Sequence, residues 1–171
     1  CKLDYEIYVD KLLEREGFLK YKTRPPKTVE DIDSEKSAAF VIDPGRIYIN
    51  SRDRFPHGKI SISDKVKVQD DLISFFSSEE FKSKKIVGKI SLNEETFKGK
   101  YSKEGPDLVI LGNKGFDLKG FGLEGLASKD SCYGKRIFSG MHTHDDAFII
   151  YRGPEVLSAP YHIEKIASLV V

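Results

Sequence analysis

The chain has no tryptophan, one methionine, two cysteines and a single glutamine among 171 residues, and no excess of charge: 28 lysines and arginines stand against 27 aspartates and glutamates. Each shortage closes off a class of function. Cys1 and Cys132 have neither the number nor the spacing for a cysteine zinc site or a disulfide framework, so a reduced pair is the plain expectation. Bonding between them is the hyperthermophile alternative. Balanced charge leaves no field of one sign to hold a nucleic-acid polymer or an anionic membrane. No apolar run approaches the ~20 residues that a membrane helix needs, so no membrane partner is expected. No signal sequence opens the chain, but a start at Cys without Met makes that uninformative; the compartment is left open, with the cytoplasm favoured.

What is present suits one α/β unit spanning residues 1–171. A hydrophobic content of 39% in a chain of this length supports a core that buries roughly 70% of the unfolded surface. The 32% of charged residues, rich in lysine and glutamate, leans toward the composition of hyperthermophile proteins. The chain opens on Cys without Met and closes on a helical pattern, 161–171, without a C-cap, so both ends read as truncated. A helical pattern follows Cys1 with no linker, which argues against a lipid-modified N-terminus.

Along the chain, Leu3, Ile7, Tyr8, Leu12 and Leu13 recur near helical spacing, with Gly17 as C-cap and Phe18 and Leu19 as its hydrophobic contact. Residues 20–33 are polar around Pro25-Pro26 and read as an extended loop. The runs 37–42 and 46–50, separated by Asp43-Pro44-Gly45, predict a hairpin. The loop 51–58 carries Arg52, Arg54 and His57; its guanidinium groups either clamp a phosphate oxygen or, on the bland reading, are solvated or paired with an acid such as Asp53. A helix is expected over 66–76, a capped turn at 77–80, a strand over 86–92 and a short turn around Glu94, Glu95 and Phe97. The runs 107–111 and 147–151 are uninterrupted and apolar, the pattern of central strands covered on both faces. Glycines recur from Gly112 to Gly134, which predicts a poorly protected loop; without a Gly-Lys-Ser/Thr ending or Rossmann spacing it does not read as a phosphate cradle.

Chemistry concentrates at Ser139-Gly-Met-His-Thr-His-Asp-Asp-Ala-Phe-Ile-Ile-Tyr151. His142, His144, Asp145 and Asp146 stand within five positions before an apolar run, side chains that bind metals at the mouth of a strand. A hydrogen-bonded loop histidine is the bland reading of His142, and strand capping that of Asp145 and Asp146. His-x-His beside Asp also resembles the start of amidohydrolase barrels, but the chain left after it is far too short for a barrel.

A set of segments in order carries a further resemblance: a helix to Glu-Gly-Phe-Leu19, then Ile-Tyr-Ile-Asn50, Arg-Phe-Pro-His-Gly58, Gly-Lys-Tyr101, Gly-Pro-Asp-Leu-Val109, and Ser-Gly-Met-His142 before an apolar run. Together they resemble the C-terminal part of the alkaline-phosphatase superfamily, nearest the type I phosphodiesterase/nucleotide pyrophosphatase-like phosphohydrolases and phosphomutases. The resemblance implies an alkaline-phosphatase-like α/β sheet layered by helices, here its C-terminal portion within a larger catalytic domain. It implies two divalent metal ions, zinc foremost, a phosphate-ester or nucleotide substrate, and a Thr or Ser nucleophile phosphorylated by in-line displacement. The family's Gly-x-His pattern places one metal ligand at His142. Its early Asp, nucleophile and Asp-His motif lie upstream of the first helix, so no catalytic residue is assigned here and inactivity of this chain by itself is expected. The family has a Pro-containing stretch where Thr143, His144, Asp145 and Asp146 follow, which leaves His144 as a supporting group, a substitute ligand or a surface residue. The family motif gives Arg52 and Arg54 no role. A non-catalytic binding or structural module is the competing expectation.

Overall fold

The computed structural model describes residues 2–121, 131–135, 139–140, 150 and 152–153. Within them the chain is mixed α/β, with two sheets and a few short helices. The first element differs from its sequence pattern. Tyr5–Tyr8 is a strand, β1, and only Val9–Arg15 is helical, α1. Tyr5, Ile7 and Tyr8 are aromatic or β-branched, types that favour a pleated surface. The partners of β1 are remote in sequence, so local spacing could not reveal them: β6 (Phe116–Lys119) runs parallel on one side and β7 (Tyr133–Lys135) antiparallel on the other. The helix ends as expected. Gly17 takes φ +81°, and the N–H groups of Gly17 and Phe18 close back on the carbonyls of Glu14 and Leu13, a Schellman motif.

The second sheet has four strands, all antiparallel, in the order β2 (Ala39–Val41), β3 (Arg46–Ile49), β5 (Leu108–Gly112) and β4 (Val87–Leu92). Its hairpin is the one read from the sequence, β2 at Ala39–Val41 and β3 at Arg46–Ile49. Gly45 is required twice over: its φ is +65°, and a Cβ there would stand 2.2 Å from the Ile110 carbonyl oxygen. The helices α2 (Lys65–Phe76) and α3 (Glu79–Ser83), the strand β4 (Val87–Leu92) and the turn α4 (Asn93–Thr96) also fall where the sequence places them.

The strand β5 (Leu108–Gly112) is interior to its sheet, as expected, but its burial corrects the expectation of two covered faces. Leu108 and Ile110 are buried while Val109 and Leu111 are only half-buried, the alternation of an antiparallel sheet with one face on the core. Leu12, Leu13, Val41, Ile47, Ile49, Leu72, Phe76 and Phe81 join them in one hydrophobic cluster, to which Ile7 and Leu118 of the three-stranded sheet also belong. Of the run 147–151, Ile150 alone is described; it is 88% exposed and lies in no strand, contrary to the expectation of a buried strand at that position. The remainder of that run and the helical pattern 161–171 lie outside the described residues. The glycine-bearing stretch from Gly112 to Gly134 is not one loop: Gly115, at φ +97°, turns the chain from β5 into β6, and the stretch ends in β7. Residues 122–130 lie outside the described set.

Candidate functional site

Asp107, 6% exposed, sits at the mouth of β5 and gathers two of the quoted segments around its carboxylate. The backbone N–H of Ile49 donates to Oδ2 at 2.8 Å, Lys65 Nζ lies 2.8 Å from Oδ1, and Arg54 Nη1 lies 3.6 Å from Oδ2. Arg54 donates through Nη1 to the Gly105 carbonyl at 2.7 Å and through Nη2 to the Glu104 carbonyl. Its guanidinium also lies 5.1 Å from the ring centres of both Tyr48 and Phe55. The loop that presents it is tightly closed: Phe55 N–H bonds to the Ser51 carbonyl, and a Cβ on Gly58 would stand 2.4 Å from that same oxygen. Asn50, buried just before the loop, donates to the Ser34 and Ser37 carbonyls at 2.6 and 2.8 Å. Arg54 is thus paired, with Asp107 rather than the neighbouring Asp53, and its guanidinium binds protein oxygens. Arg52 and His57 are exposed on the loop surface.

A second buried carboxylate lies in the three-stranded sheet. Glu6, 2% exposed, accepts a 2.9 Å hydrogen bond from Tyr8 Oη at Oε2, while Oε1 makes no hydrogen bond and faces Lys119 Nζ at 3.7 Å. Lys119 lies closer to Asp117, at 2.5 Å. Burial first, and then the hydrogen bond to Glu6, push the Tyr8 phenol up to about 12. Opposite Glu6 on β7, Gly134 leaves the space that the Tyr8 ring fills, since a Cβ there would lie 2.6 Å from Tyr8 Cε2.

A third polar contact ties the helices to β7. Arg15 holds both oxygens of Glu80, at 3.1 and 2.7 Å, and Tyr133 Oη donates to Glu80 at 2.5 Å. The hydrogen bonds from Arg15 are the main reason the Glu80 carboxyl sits below the usual range; burial is the main reason the Tyr133 phenol sits above its own. Cys132 is a free, buried thiol pushed up by burial; Cys1, the other member of the expected reduced pair, lies outside the described residues.

His142, His144, Asp145 and Asp146 also lie outside the described residues. Among the described residues no group of three His, Cys, Asp or Glu side chains that could hold a metal ion converges. Nor is any described helix long and apolar enough to cross a membrane. Sequence reasoning passed over Asp107 and Glu6 as buried groups. The signal was present for Asp107, an acid wedged between Gly105-Pro106 and an apolar run. For Glu6 it was hidden, because Tyr-Glu-Ile-Tyr reads equally well as one turn of an amphipathic helix. No protein-family model, curated protein or solved structure matches the chain.

Proposed function

We propose that this chain is the C-terminal part of a metal-dependent phosphohydrolase or phosphodiesterase of the alkaline-phosphatase superfamily, acting on phosphate esters or nucleotides. The observation that carries the reading is the ordered set of segments that ends in Ser139-Gly-Met-His142. It is supported by the meeting of two of those segments in space: Arg54 and Gly105, 51 residues apart, are hydrogen-bonded, and Asp107 joins them. In this reading the helix-layered sheet of the superfamily is completed by a segment upstream of residue 1. That segment also carries the Thr or Ser that accepts the phosphoryl group and the remaining ligands for divalent metal, zinc foremost, while His142 supplies one ligand. The described residues act as scaffold: Arg54, Lys65 and Asp107 fix the loop 51–58 against the start of β5.

A second reading, a non-catalytic binding or structural module, is favoured by one observation. Two charged groups of the quoted segments, Arg54 and Asp107, are committed to each other and to the backbone. Turnover of a nitrophenyl phosphodiester separates the two. The protein extended upstream should hydrolyse the ester when zinc, manganese or magnesium is added, and the 171-residue chain by itself should not. Silence of the extended protein with all three metals would leave the module reading, and turnover by the chain alone would refute the proposed division of labour.

A further inference from the structure

We propose that the free edge of β4, with the groove beside it, is a docking site where an extended acidic peptide from a partner protein adds as a further strand. Among the described residues β4 has a neighbour on one side only, β5. An antiparallel strand turns the N–H and C=O groups of alternate residues to its open side. At Leu92 those groups are already taken within the chain: Glu95 Oε2 accepts from the N–H at 2.9 Å, and Thr96 Oγ1 donates to the carbonyl at 3.1 Å. Two residues earlier, on the same side, Ile90 has no such cap among the described residues. The edge is closed at one end and open beside the groove.

The groove, of about 280 Å³, runs between β4 and the ends of α2 and α3, with Phe76, Phe81, Val87 and Ile90 as its apolar wall and Lys82 and Lys89 at its rim. An open strand edge alongside a helix, with an apolar slot between them, is the arrangement that lets a peptide gain main-chain hydrogen bonds from the strand and side-chain contacts from the slot. Charge selects the occupant. Lys82, Lys84, Lys85 and Lys89 are all exposed, and no acid occurs between Glu80 and Glu94. A second copy of this edge would bring lysines against lysines, and the bulge between Val87 and Lys89 interrupts the ladder. Both features discourage like-with-like pairing of edges. The same lysines attract an acidic strand and steer its approach.

The test uses a labelled, end-blocked peptide of alternating glutamate and valine, a control in which lysine replaces each glutamate, and the double variant K82E/K89E, whose changes are confined to exposed positions. Fluorescence polarisation should show saturable binding of the acidic peptide and binding about tenfold or more weaker for the basic one. The double variant should reverse that preference. Hydrogen exchange at the Ile90 amide should slow when the acidic peptide is bound. Equal binding of both peptides, an Ile90 amide that exchanges at the same rate with peptide bound, or self-association of the chain that itself protects Ile90 would each overturn the proposal, the last by assigning the edge to a second copy.

Discussion

Asp107 and Glu6 are both buried carboxylates at 6% and 2% exposure, and the two sheets that hold them treat them differently. In the four-stranded sheet, Asp107 has a backbone donor, a lysine and an arginine around its two oxygens. In the three-stranded sheet, Glu6 has one phenol donor, one oxygen without a hydrogen bond, and a lysine at 3.7 Å that lies closer to Asp117. A buried charge is tolerated when its partners replace the water it lost, and removing such a charge strands those partners. The contrast separates a carboxylate that organises its surroundings from one that the fold merely accommodates.

The largest effect should come from Asp107→Ala. With the carboxylate gone, the Ile49 N–H loses its side-chain acceptor and Lys65 and Arg54 lose their counter-charge, a loss of about 3 kcal/mol in urea unfolding. A change below about 1 kcal/mol would erase the distinction between the two sites.

Glu80→Gln should cost less, about 1 kcal/mol at neutral pH, because the Arg15 pair it weakens is partly exposed. Its folded carboxyl is held below the ordinary value of 4.5, so its contribution is present above that value and fades as pH falls below it. The unfolding curves of wild type and variant, measured from neutral to acid, should therefore converge in acid; a gap that stays constant would show that the charge on Glu80 contributes nothing.

Glu6→Gln should be the mildest of the three, under about 1 kcal/mol in either direction, since it removes a half-satisfied charge and leaves an acceptor for Tyr8. The alkaline limb sharpens this. The Tyr8 phenol rises from 10 to about 12 in the folded chain, so its contribution is present below pH 10 and is lost as pH climbs through 12. Part of that rise comes from Glu6, and the variant should lose less stability than wild type over the same range. A larger alkaline loss in Glu6→Gln would contradict the assignment.

The same contrast marks how far the sequence could be read. The four-stranded sheet was legible because its signals are local: Asp43-Pro44-Gly45 announces the hairpin, 66–76 repeats at helical spacing, and 86–92 is bounded by lysines and Asn93. The three-stranded sheet was not, because β1 pairs with strands more than a hundred residues away and its apolar positions satisfy a helix as well as a strand. For β5, an apolar run gave the strand and its interior place but not which residues face the core, since Val109 and Leu111 are as apolar as Leu108 and Ile110. Of the candidate site, the sequence named Arg54 without its partners and His142 without its neighbourhood. Lys65 became visible only once the fold brought it to Asp107, whose own signal, an acid between Gly105-Pro106 and an apolar run, was local.

The central claim, that His142 acts in chemistry while Arg54 holds the scaffold, is tested most directly by pairing two readouts on the protein extended upstream. Hydrolysis of bis(p-nitrophenyl) phosphate with added zinc and thermal unfolding would be measured for wild type, His142→Ala and Arg54→Ala. The account predicts that His142→Ala loses most of its turnover at a nearly unchanged melting temperature, as deletion of a metal ligand should. Arg54→Ala should melt several degrees lower, about 1–2 kcal/mol less stable, and retain turnover per folded molecule. Full turnover in His142→Ala, or turnover abolished in an Arg54→Ala protein that melts like wild type, would contradict it.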